Sequence, residues 1–379
     1  MPVSSDSGTG GTMADSGVSP NPDASNPTDT GLIFDVGMTP DAGLIADAGE
    51  ADPCPSDYTQ PEFPSTYIPV ENTISPMQLD GQPSNTWIRP TVEFSTYGPR
   101  DGQARNQLFI LLPGTNGTPQ RASWVMRAAS YLGYHVIGLA FANNGSVSQM
   151  CSTLSTPEEQ RLCHGQVIRE RIYGDDGTSA SSPLVSVDEK NSVIGRLKLV
   201  LDYQILNDSF GNWEQFVKAG EPDWSKIVVS GASQGGKTAT YISRDFEVAR
   251  AVLFNAMGSA FRGDTPNEVI IGEWSREPRQ TGPGRVFGLW HKQEAADAYA
   301  PILLESYGVD SNGDTHDVDN SSPPFQCSHM LRTDLEPADA QGCNAHASVA
   351  ADDCSAKDSN GIPMLMPTYM YMMNFPTTE

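Results

Sequence analysis

One passage limits the folds open to this chain more than any other: Lys226-Ile-Val-Val-Ser-Gly-Ala-Ser-Gln-Gly-Gly-Lys-Thr-Ala-Thr-Tyr-Ile242. Ile227 to Val229 is a β-branched run, Ser233 sits between Gly231 and Gly235, and the residues after Gly236 have helical character. A strand that turns into a helix this abruptly leaves no space for Cβ atoms at the flanking positions, which is the reason for the two glycines. Such an elbow pushes the serine hydroxyl out at the carboxyl edge of a sheet, where it can act as a nucleophile.

The surrounding pattern predicts a mostly parallel sheet flanked by helices, an α/β class fold. Thr91 to Tyr97 alternates as a strand does, and Gln107 to Leu112 is a continuous apolar run of the kind found in a strand covered on both faces. The loop Pro113-Gly-Thr-Asn-Gly-Thr-Pro119 follows, and Thr118 with Pro119 predicts the start of a helix reaching about Leu132. His135 to Phe141 is the next strand, which makes a β-loop-α-β unit. Thr156-Pro-Glu-Glu159 opens a capped helix to about Tyr173, and a further helix spans Ser192 to about Leu206. Beyond the elbow come strands at Arg250 to Asn255, Arg285 to Trp290 and Met330 to Thr333, then a helix over Met364 to Met373. No internal repeat is present.

Residues 1–60 are dominated by Ser, Gly, Pro, Asp, Thr and Ala and read as a low-complexity acidic linker, leaving 61–379 for one catalytic-sized domain. With nine Asp, one Glu and no Lys or Arg, that linker supplies ten of the chain's 24 excess negative charges. The remainder is still acidic, which argues against nucleic acid or anionic membrane as a partner. No stretch is long enough to span a membrane, and no basic region followed by an apolar one begins the sequence. Six cysteines in such a chain predict disulfides, with Cys151–Cys163 the expected short loop; Cys54, Cys327, Cys343 and Cys354 allow three pairings. Together with the leader they predict a secreted or surface-tethered protein, read as a monomer.

A serine hydroxyl needs a base in reach and an acid to orient that base. Of the six histidines, His135 begins a strand and His164 lies inside the capped helix, which assigns both to structure. His346, in Cys343-Asn-Ala-His-Ala-Ser-Val349, occupies a loop after the last strand and is the expected base, with His329 the alternative. Glu294 is the expected acid, nearer than Asp297 to the end of the strand at Trp290; Asp264 follows the preceding strand. Backbone N–H groups of Gln234 and Thr115, with Asn116 as the alternative to Thr115, would receive charge on a substrate oxygen. Asp310, Asn312 and Asp314 have a calcium-loop flavour but fail the EF-hand pattern at Thr315 and Ser321. Trp124, Trp274 and Trp290 are candidates for a pocket wall or for packing.

On Leu112-Pro-Gly-Thr-Asn-Gly117, Gly231-Ala-Ser-Gln-Gly-Gly236 and Asn344-Ala-His-Ala-Ser348, the chain resembles the α/β-hydrolase superfamily over about residues 65 to 376. The Cys151 to Cys163 excursion, with the stretches Ser322-Ser-Pro-Pro-Phe and Ser328-His-Met-Leu, resembles more narrowly a group of bacterial exported serine hydrolases. That resemblance implies cofactor-free hydrolysis of carboxylic esters through an acyl-enzyme, on a small-molecule or polymeric substrate. Ala232 and Gln234 stand where cutinase-type polyester hydrolases carry histidine or tryptophan and methionine. An extracellular polyester or acylated-polysaccharide esterase is the neighbouring expectation, and a non-catalytic surface binding protein on a hydrolase scaffold is the one from another class.

Overall fold

The computed structural model describes residues 54–377 apart from 56, 81–87, 101, 179, 181, 183, 263, 264, 266 and 267. The expected linker lies outside the described residues up to residue 53, as does Asp264. Nine strands form the central sheet: β1 (Glu71–Ile74), β2 (Phe94–Tyr97), β3 (Leu108–Leu112), β4 (His135–Gly138), β5 (Ile227–Ala232), β6 (Arg250–Phe254), β7 (Val286–His291), β8 (His316–Asp317) and β9 (Met330–Thr333). Their spatial order is β1-β2-β4-β3-β5-β6-β7-β9-β8. Only the β1/β2 and β2/β4 pairs are antiparallel. This is the mostly parallel, helix-flanked α/β architecture that the sequence led us to expect.

The strand side chains divide by parity, because successive residues of a strand point to opposite faces. Leu108, Ile110 and Leu112 of β3 share a core with Ile227 and Val229 of β5. Three helices cover that face: α2 (Pro157–Tyr173), α3 (Val193–Asn207) and α4 (Gln234–Asp245). Phe109 and Leu111 face the other way, into a second core roofed by α1 (Ser123–Tyr131) and α6 (Met366–Asn374). Every residue of β3, β6 and β7 is buried. Each large apolar side chain so covered contributes about 1.5–3 kcal/mol, which makes this central run the most firmly fixed part of the fold.

Local capping signals account for the starts of α2 and α3 but not for that of α1. Thr156 accepts from Glu159 N–H while the Glu159 carboxylate bonds back to Thr156 N–H, completing the expected capping box. Ser192 caps α3 through Gly195 N–H at 3.0 Å. Thr118 differs: its side chain caps nothing, and Pro119–Ala122 forms a 3-10 turn before α1 begins. The α1 N-terminus is satisfied from far along the chain, by Asp352, which accepts from Ser123 N–H at 2.9 Å and Trp124 N–H at 3.1 Å. No local pattern could have signalled that.

Three disulfides are present, Cys54–Cys327, Cys151–Cys163 and Cys343–Cys354. Cys151–Cys163 is the expected pair, and the other four cysteines join as one long-range and one short-range bond. Cys54–Cys327 fastens the start of the described chain to the body, and Tyr58 packs edge-on against Tyr371 with ring centroids 6.0 Å apart. Three such bonds are consistent with an oxidising, extracellular setting. No helix among the described residues is long and apolar enough to cross a membrane.

Candidate active site

At the end of β5 the chain reverses into α4 through a single residue, Ser233, at φ 55° and ψ −119°. An L-residue in that region carries on the order of 1–3 kcal/mol of strain, and it persists only where the surroundings over-determine it. The flanking glycines provide the determination. A Cβ on Gly231 would run into the Gly235 backbone, and one on Gly235 would run into the carbonyl of Leu112. The elbow therefore lies flush against the end of β3.

Sheet order explains why the second loop arrives at the same place. From β3 the chain moves outward to β4 and then returns to the opposite side as β5, so the crevice between β3 and β5 is a topological switch point. Register pairs Leu112 with Gly231. The loop from Pro113 consequently leaves the sheet beside Ser233, and a Cβ on Gly114 would lie 3.2 Å from the Ser233 Cβ. Among the described residues, the N–H groups of Thr115 and Gln234 donate to no acceptor. Asn116, the alternative donor, is engaged: its N–H donates to Asn143 O at 3.1 Å.

His346 stands in a one-turn helix, α5 (Ala345–Ser348), placed on the loop after β9 and capped by Asn344, which accepts from Ala347 N–H at 2.9 Å. Its Nδ1 is 2.7 Å from Oε1 of Glu294, on the loop after β7. The contact is short, although Glu294 Oε1 accepts no aligned hydrogen bond. Glu294 is mostly withdrawn from solvent at 10% side-chain exposure, whereas His346 is 45% exposed. With Nδ1 turned toward the acid, Nε2 is the ring nitrogen left for proton transfer.

The competing candidates are occupied elsewhere. Asp297 accepts from Trp290 Nε1 at 2.9 Å and lies 3.6 Å from Arg332. His329 is buried and stacked on Phe287 at 3.7 Å, and burial pushes its pKa down to about 3. His135 is buried between Trp213 and Phe216. Burial, reinforced by the Lys237 ammonium, holds His164 down to about 3 as well. Among the described residues the one set of three or more His, Cys, Asp or Glu side chains that converges is Cys343, Asp353 and Cys354, whose two sulfurs are joined in a disulfide.

A cavity of about 250 Å³ opens beside the elbow, walled by Ser233 and His346 together with Gly114, Thr115, Ala350 and Ala351. None of the three candidate tryptophans lines it: Trp290 is a core residue, Trp274 packs on Tyr241, and Trp124 meets Phe63. Sequence reasoning missed Asn143 and Asn255. Asn255, just past β6, donates through Nδ2 to His346 O at 2.6 Å. Both asparagines follow carboxyl ends of parallel strands, which is the signal that could have found them.

The chain matches no family model and no curated protein. Among solved structures it is similar to a Klebsiella pneumoniae protein provisionally assigned as a dienelactone hydrolase, at 12% identity and a TM-score of 0.34. That likeness covers 71% of this chain and 87% of the other.

Proposed function

We propose that this protein is an exported serine esterase that cleaves carboxylic esters through an acyl-enzyme. One observation carries the reading: a serine at a strained strand-to-helix turn and a histidine 2.7 Å from a sheltered glutamate wall the same cavity. Ser233 Oγ attacks the ester carbonyl while His346 Nε2 takes its proton, and Glu294 steadies the imidazolium that forms. Charge appears on the carbonyl oxygen, where the two unspent N–H groups of Thr115 and Gln234 receive it. His346 then gives its proton to the departing alkoxide, and water activated by the same imidazole releases the acid.

The cavity volume and its small side chains favour a short acyl group over a long one. Turnover of para-nitrophenyl esters of graded chain length tests this, with Ser233→Ala as the control. We expect acetate or butyrate to be the best substrate, and the variant to keep its fold while losing about 10⁴-fold or more of kcat. Substantial hydrolysis by Ser233→Ala would remove the nucleophile. Release of soluble products from polyester film would favour the polymer reading, and inertness toward every ester and toward fluorophosphonate would favour a binding protein.

A further inference from the structure

The oxyanion loop has no secondary structure of its own, yet its peptide groups must be held to within a few tenths of an ångström to be useful. Asn143, fully buried just past β4, supplies the hold. Its Nδ2 donates to Gly114 O and, at 3.0 Å, to Gly117 O. Its main-chain carbonyl accepts from Asn116 N–H at 3.1 Å and from Gln234 Nε2 at 3.1 Å. Gln234 closes the ring, because its Oε1 accepts from Thr115 Oγ1 at 3.3 Å. Arg89 backs the arrangement from outside, donating to Gly117 O at 2.7 Å, to Asn116 O at 3.1 Å and to Asn143 Oδ1.

Carbonyls at 114, 116 and 117 are all engaged by Asn143 or Arg89, while among the described residues the Thr115 N–H has no internal acceptor. The Gln234 side chain meanwhile ties the loop to the residue that supplies the other donor. We propose that Asn143 and the Gln234 side chain are positioning residues that set the two oxyanion donors relative to each other. This rests on the esterase reading, and it makes the geometry of the hole a property of the β4 loop as much as of the elbow.

The test uses the full chain with Asn143→Asp, Asn143→Ala and Gln234→Met. Asn143→Asp keeps an acceptor for Arg89 but turns a carboxylate toward the carbonyls of Gly114 and Gly117, so the loop must shift even if the fold survives. For every variant that melts as wild type does, we expect kcat to fall about 10- to 100-fold with KM changed less than threefold. Affinity for a trifluoromethyl ketone, whose hemiketal oxygen occupies the hole, should fall in step with kcat/KM. Gln234→Met lies at the other end of the ring and keeps the test open should both Asn143 variants unfold. If folded variants retain kcat and ketone affinity while Ser233→Ala is dead, this inference is overturned and the esterase stands. Should Ser233→Ala remain active, the esterase reading itself fails.

Discussion

Glu294 and Asp297 stand three residues apart after the same strand, and different neighbours hold them. Glu294 faces the imidazole of His346, so Glu294→Gln should lower kcat by about 10²–10⁴-fold while leaving the melting temperature nearly unchanged. Asp297 holds the indole of Trp290 and the guanidinium of Arg332. Asp297→Asn should therefore cost about 1–2 kcal/mol in denaturant unfolding and leave kcat alone. If the two phenotypes were exchanged, the assignment of the acid would be wrong. Both carboxylates were visible in the sequence, and proximity to the strand end favoured Glu294 as the acid. Asn143 and Asn255 were not, because their work is done through backbone carbonyls of loops that come together only in the fold.

At the level of elements, strands and helices with local causes were readable and those with distant causes were not. Buried runs such as Leu108 to Leu112 announce themselves through composition, and Thr156 with Glu159 announces its helix. β1 and β8 escaped notice because short edge strands carry few apolar residues. The start of α1 escaped because its cap, Asp352, is more than two hundred residues away in sequence. Burial raises this carboxyl from 3.8 to about 6, against the N–H donors of Ser123 and Trp124, which pull it down. A carboxyl raised on folding contributes stability that is complete below its unfolded value and disappears as pH climbs through its folded one. The stability of wild type relative to Asp352→Asn should hence decline by ~3 kcal/mol between pH 4 and 6.5 and then level off, as chemical unfolding can measure. A flat difference would show that the carboxylate is not shielded in solution.

For the molecule as a whole, acid should be the vulnerable direction. His164 and His329 are both held down to about 3 by burial, so the native state refuses protons that the unfolded chain accepts from about pH 6.5 downward. The unfolded state then binds more protons, and each imidazole removes about 1.4 kcal/mol of stability per unit of falling pH. Asp352 acts oppositely between 3.8 and about 6 and offsets roughly one of the two. Replacing His329 by Phe should flatten the acid limb of a stability-versus-pH curve between 6.5 and 4; an unaltered slope would mean that this ring is protonated in the fold. The Cys343–Cys354 bond closes a ring around His346, and Asp352 and Asp353 within that ring grip α1 and Arg121. His346 and the helix that follows the Pro113–Pro119 loop thus share a common mount. In reducing surroundings the mount would lose its covalent clasp while the buried sheet kept its register, so the proposed activity would fail well before the molecule came apart.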